Sequence, residues 1–266
     1  MSGAEPYWWA SYFTLVALGI ALGLFLSLLA MIGLGRRVGR RAVLDPEGGH
    51  KGLGGAEGAV YGLLGLLIAF SFSGAATRLE RRRALVVDEA NAISTAYLRL
   101  DLLPPEAQQA LREAFRNYVD SRIAVFRKLP DMQASQAELE RSVVLQRELW
   151  NQAVTVGRVP GSPNPLFLLS PLNQVFDVAH TRAAQVYSHP PVAIFAMLLA
   201  LALVSAFLVG FGMASSKGRS GLHAIAYSAV LSMVIYLIVD LEFPRLGLIR
   251  VGGVDEVLVE ARQRMN

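Results

Sequence analysis

Residues 59–104 read AVYGLLGLLIAFSFSGAATRLERRRALVVDEANAISTAYLRLDLLP. Positions 59–77 contain no Asp, Glu, Lys or Arg, whereas from Arg78 onward charges recur every few residues. Neither Gly nor Pro interrupts the chain between Arg78 and Leu103, so nothing stops a helix before Pro104. One long helix is therefore predicted, apolar enough at its start to cross a bilayer and charged enough afterwards to continue into water. A hydrocarbon core about 30 Å thick takes ~20 apolar helical residues, and 59–77 is close to that length.

Three further runs, 12–34, 192–213 and 222–239, are equally free of charge. The 266-residue chain is 53% hydrophobic and 17% charged, with a mean hydropathy of +0.42. That average hides two populations. All 25 basic and 21 acidic residues lie outside the four runs, where they make up about a quarter of the positions, as in ordinary soluble protein. The net charge of +4 is too small and too evenly divided to indicate nucleic acid. Cysteine is absent, which removes disulfides, thiolate nucleophiles and thiolate metal sites. The first run follows Glu5 rather than a basic segment and is followed by Arg36, Arg37, Arg40 and Arg41, so it is read as a retained span and not a cleaved signal. Trp8, Trp9 and Tyr12 stand at its start, where amphipathic rings favour the headgroup level. Gly19 and Gly23 give it a face on which a second helix could approach closely.

The fold class expected is an all-α membrane protein with four transmembrane helices and a helical extramembrane domain between the second and third. Its divisions are an N-terminal transmembrane pair at 1–77, the helical domain at 78–191, a C-terminal transmembrane pair at 192–239 and a polar tail at 240–266. The connection 35–58, rich in Gly and Arg, reads as a loop. Within the domain, Leu111, Ala114, Phe115, Tyr118, Ile123 and Phe126 recur at helical spacing over 105–129. Asp131 is a suitable N-cap for a helix over 131–157. After the loop GRVPGSPNP, Ser170 and Pro171 resemble an N-cap and first-turn pair opening a helix to about Ser188. The tail segment VDEVLVEARQRMN is compatible with a short helix, and no stretch alternates with period two for long enough to argue a strand.

Four spans place the domain and both termini on one side. Lys and Arg near the spans do not choose that side: Arg36, Arg37, Arg40, Arg41, Lys51, Lys217 and Arg219 in the short loops are matched by Arg78, Arg81, Arg82, Arg83, Arg182, Arg245 and Arg250.

The candidate functional residues cluster around the exit of the second helix. Leu64, Ile68 and Phe72 follow one i, i+4 row. If several copies surrounded an axis, these side chains would form a dewetting neck, and Arg78, Arg81 and Arg82 a vestibule attractive to anions. The plainer alternative is lipid contact for the former and headgroup contact for the latter. Further on, Asp88, Asn91, Thr95 and Arg99 share a face with Glu89 beside it, which reads as a buried polar network with Arg82 or Arg122. A catalytic carboxylate pair is less favoured, because neither nucleophile nor metal partner accompanies it. His50, His180, His189 and His223 have no partner at metal-ligand spacing, and no nucleotide or hydrolase motif occurs. No metal, cofactor or enzymatic role is expected. Asp240, Glu242, Pro244 and Gly247 form a tail motif whose carboxylates suit capping or pairing with Arg245 or Arg250 better than calcium, which needs six or more oxygens.

The run GLLIAFSFSGAATRLERRRALVVDEANAISTAYLRLDLLP, with NYVDSR at 117–122 and DLEFPRLGLIRV at 240–251, resembles the bestrophin-like domain family of bacterial membrane proteins. That family's name records a relation to bestrophins, pentameric anion channels with four membrane helices per subunit and a helical cytoplasmic part between the second and third. The resemblance implies a multi-pass protein of the bacterial inner membrane, a cytoplasmic domain, a homo-oligomer, and a second helix lining a pore for chloride or another small anion. It departs from calcium-responsive bestrophins, which carry a dense acidic clasp where this tail has only Asp240, Glu242, Asp255, Glu256 and Glu260.

The leading expectation is thus an oligomeric membrane protein in the lipid bilayer, conducting anions along the second helix. The rival is a non-conducting scaffold or sensor whose helical domain binds a protein partner. An intramembrane enzyme comes a distant third.

Overall fold

The computed structural model describes residues 13–43, 53–129, 131–159, 164–186, 188–215, 220–243 and 252–265. They form eight α-helices: α1 (Phe13–Val43), α2 (Leu53–Leu98), α3 (Pro105–Arg127), α4 (Met132–Gly157), α5 (Leu166–Val186), α6 (Val192–Gly212), α7 (Ser220–Glu242) and α8 (Gly252–Gln263). Short 3-10 turns follow α2 at Arg99–Leu102 and α6 at Met213–Ser215. No strand occurs among the described residues. Four helices, α1, α2, α6 and α7, are long and apolar enough to cross a membrane.

The helix predicted over the opening stretch is continuous through Leu98. Its 46 residues rise about 70 Å at 1.5 Å each, more than twice a hydrocarbon core. The chain divides into two compact units, and the division cuts this helix between Arg78 and Leu79. One unit comprises Thr14–Arg78 and His189–Phe243; the other contains Leu79–Ser188 and the tail helix.

In the membrane unit, α1 runs past Leu34 to Val43 and α2 begins at Leu53, so much of the expected 35–58 loop is helical. The glycines there serve packing. A Cβ on Gly35 would lie 2.0 Å from the Phe207 carbonyl oxygen, and one on Gly39 would lie 2.7 Å from the Ala214 Cβ. From the opposite side, a Cβ on Gly210 would lie 2.0 Å from the Ile32 carbonyl oxygen. Backbones α1 and α6 therefore touch through three glycines, a close small-residue crossing of the membrane type. Gly19 and Gly23, the pair singled out from sequence, have nothing within 4 Å. The buried side of α1 is Ala17, Leu24, Leu28 and Ile32.

The other unit has a conventional apolar core. Ile93, Leu100, Leu111, Phe115, Val119, Leu149, Leu172 and Val175 are all but inaccessible. Edge-to-face aromatic pairs run through it, Tyr97 on Phe115, Phe115 on Tyr118 and Tyr118 on Phe176, with centroids 5.7–6.4 Å apart. Pro104 and Pro105 separate the end of the 3-10 turn from α3, with Pro105 in the first turn. Asp131 caps α4, its carboxylate accepting the Ala134 N–H at 2.9 Å.

For α5 the sequence expectation is corrected. The helix starts at Leu166, with the Asn164 side chain accepting the Leu166 N–H at 3.0 Å and Pro165 just before its first turn. Asn164 and Pro165 take the roles assigned to Ser170 and Pro171, and Pro171 lies buried inside the helix. A proline there cannot donate to the carbonyl one turn back, that of Phe167. The Arg99 guanidinium donates to that carbonyl instead, at 3.1 Å.

The tail helix α8 is docked on the same unit. Leu258, Ala261 and Met265 are buried, Arg262 grips Asp120 with two bonds of 2.8 and 2.9 Å, and the Met265 carbonyl accepts from Tyr97 and Arg116.

Candidate functional site

The most concentrated electrostatics lie where α2, α3, α5 and α8 bring four charged side chains together. Glu89 is completely inaccessible. One of its oxygens accepts from Arg122 Nε at 2.7 Å and the other from Arg182 Nη1 at 2.6 Å. Arg182 also donates through Nη2 to Asp255 of α8 at 2.7 Å. The Arg182 guanidinium lies over the Phe126 ring, 3.7 Å from its centroid, a stacking that a weakly hydrated planar cation favours.

These residues meet because each occupies a core position of an amphipathic helix. On α3 the buried row is Leu111, Phe115, Tyr118, Arg122; on α5 it is Leu168, Leu172, Val175, Ala179, Arg182. Burial pushes the Glu89 carboxyl up, but the two guanidiniums outweigh it and hold the group below the ordinary carboxylate range. Burial likewise disfavours the Arg122 cation, and Glu89 more than reverses it. Burial pushes the Tyr118 phenol well above its usual value; its hydroxyl is buried without a hydrogen-bond partner. Both Glu89 oxygens are engaged by buried guanidiniums, so the group is an electrostatic tie that joins α2 to α3 and α5.

The expected network is only partly assembled. Glu89 and Arg122 meet, but Asp88, Asn91 and Thr95 are exposed, since the face they share turns away from the core that Val86, Glu89, Ile93 and Ala96 enter. Arg99 serves Phe167 as described. Arg82 donates to the backbone carbonyls of Gln185 and Ser188 at 3.3 and 3.1 Å. Arg182 and Asp255 were missed as network members, although an arginine ending an apolar row on α5 is the signal that could have found the first. Among the described residues no three His, Asp or Glu side chains gather as metal ligands would.

At the end of the membrane unit, Arg78 Nε bonds both Glu242 oxygens, at 2.9 and 3.1 Å. Its guanidinium folds back over Gly74, where a Cβ would come within 3.2 Å of Nη1. Glu242 and Asp240 are both buried; His189 Nδ1 lies 3.6 Å from Glu242 and its ring stacks on Phe243. Pro244 and Gly247 lie outside the described residues. Of the neck candidates, Leu64 is packed inside the unit, Ile68 is half-buried and Phe72 is exposed. Arg81 is exposed, unlike Arg78 and Arg82.

A chain with no strand among its described residues, four helices long and apolar enough to span, a helical domain after the second and a tail helix packed on that domain defines a polytopic α-helical membrane protein. A family model described as the bestrophin-like domain matches residues 23–253, and the chain belongs to that family. No curated protein and no solved structure matches it.

Proposed function

We propose that the protein is a homo-oligomeric anion channel of the membrane in which α2 lines an axial pore. The observation that carries this is the outward face of α2, which none of the described residues covers. Gly54, Gly55, Gly58, Gly62 and Gly65 have nothing within 4 Å, and Leu63, Leu66, Phe70 and Phe72 are exposed. Glycines on a membrane helix let copies approach closely, and an exposed aromatic ring among them supplies a hydrophobic constriction. The neck then centres on Phe72. Leu64 is excluded from it by its packing within the subunit, and Ile68 stands at its border. Since Arg78 and Arg82 are engaged by Glu242 and by backbone carbonyls, the charge left for the vestibule is Arg81. Family membership supports the same reading.

Planar-bilayer recording of the purified protein tests it. Chloride current that rises when Phe72 is replaced by Ala, and loses anion preference in Arg81→Glu, is the expected result. Absence of current, or indifference to Phe72→Ala, removes the pore. The scaffold alternative draws on a cleft of about 680 Å³ over Arg122, Trp150 and Phe176; it predicts no axial path and capture of a protein partner by that cleft.

A further inference from the structure

We propose that each subunit carries, inside its own helix bundle and independently of any axial pore, a hydrated seam of hydroxyl groups on α7 that relays protons to and from Asp240. Ser228, Ser232, Tyr236 and Asp240 follow one i, i+4 ridge of a helix whose other residues in that stretch are mostly apolar. Three of them are buried, Ser228 at 0%, Ser232 at 5% and Asp240 at 1% exposed, and Tyr236 is half-buried. Beside the ridge, the Tyr227 hydroxyl shares a hydrogen bond of 2.6 Å with the buried Ser205 of α6.

Two hydroxyls of this seam lack the partner that several others in the membrane helices have, a state they share with Ser71 of α2. Ser27, Thr77 and Ser205 donate to backbone carbonyls of their own helices at 2.7–2.8 Å, which is how a hydroxyl in a helix ordinarily satisfies itself. Ser228 and Ser232 Oγ are buried with no protein partner. A buried polar atom left in that state is costly, and in a polar site bridging water is the usual remedy. The spacing fits between the two serines: ridge neighbours have Cβ atoms about 5–6 Å apart, roughly twice an O–H···O bond of about 2.7 Å, so a single water bridges Ser228 and Ser232.

The chemistry favours protons over anions. Hydroxyls and waters each donate and accept, and positions 228–240 contain no Lys or Arg to hold an anion. Among the described residues the charged and titratable groups at the end of the ridge include Asp240, Glu242, Arg78, His189 and Tyr236; Glu242 bonds Arg78, and Asp240 Oδ1 accepts from the Tyr236 hydroxyl at 3.4 Å. A proton taken up by the Asp240 carboxylate passes to the Tyr236 oxygen as that phenol releases its own proton to the next water. Each member takes one proton and gives one, so every group regains its starting protonation once the chain reorients. Ionisable and hydroxyl side chains buried in a membrane bundle commonly mark such relays.

The full chain in vesicles containing a pH dye, with a potassium gradient, valinomycin and gluconate in place of chloride, tests the seam. Proton uptake should exceed that of protein-free vesicles and fall roughly tenfold or more in Asp240→Asn and in Ser232→Ala, while Ser27→Ala, outside the seam, leaves it unchanged. Should Asp240→Asn fail to fold, the double replacement of Ser228 and Ser232 by Ala gives the same readout. Uptake no greater than in protein-free vesicles, or unaffected by the Ser232 and Asp240 replacements, overturns the proposal. Chloride efflux measured in separate vesicles reports on the axial pore, so either reading can fail without the other.

Discussion

Glu89 sets the electrostatics of the helical unit, because removing its charge takes the carboxylate from the buried Arg122 and one of the two carboxylates that hold Arg182. Glu89→Gln should destabilise that unit by about 3–5 kcal/mol, the usual cost of breaking a buried pair, and urea unfolding followed by the fluorescence of Trp150 should report it. The pH dependence has a definite sign. The Glu89 carboxyl sits below its unfolded value, so its contribution is present above the ordinary carboxylate range and is lost as pH falls through the lower, folded value. The wild type should lose stability over that acid window more steeply than Glu89→Gln. Arg99 offers a second test at this scale. Arg99→Ala leaves the Phe167 carbonyl without its donor and should cost about 1 kcal/mol. Replacing Pro171 by Ala restores a backbone N–H to the same carbonyl, so the Arg99 substitution should cost less in that background, a coupling that a double-mutant cycle measures.

Among the elements, α2 was the most legible, since its two compositions and the absence of Gly or Pro after Arg78 leave a continuous helix as the simple solution. Burial on α3 was also readable from the spacing of Leu111, Phe115 and Tyr118. What sequence could not rank was competition between similar signals. Three Asx/Ser-Pro pairs, Ser162–Pro163, Asn164–Pro165 and Ser170–Pro171, lie near the start of α5, and Asn164 with Pro165 opens it while Arg99, distant in sequence, repairs the bond that Pro171 breaks. Two GxxxG pairs lie on α1, and only Gly35 with Gly39 meets a partner backbone, supplied by α6. The Asp88 face was misjudged for the same reason: its polarity was visible, but which side of α2 faced the core depended on Arg122 and Arg182. The α1–α6 crossing yields an element-level prediction. Gly35→Leu or Gly210→Leu should abolish a folded, monodisperse protein in detergent, whereas Gly19→Leu should leave the subunit's fold intact, as size-exclusion profiles will show.

For the whole molecule, the number of copies is the decisive quantity. Single-particle images of the purified protein should show a ring of four or more subunits about α2 if the channel proposal holds, and a monomer or dimer removes it. Phe72→Ala should widen the path without changing that number, because its ring contributes to the neck and not to the subunit's core.

The interlock of Gly35 with Phe207, and of Gly210 with Ile32, also imposes an order on biosynthesis. At translation rates of about 5–20 residues per second, α6 emerges roughly ten to thirty seconds after α1. During that interval the first span sits in the bilayer with a bare backbone groove, competing for any other small-residue helix nearby. Expression yield should therefore respond to the tempo of translation between the two helices, and a span supplied on a separate chain with the α6 sequence should engage the nascent first helix.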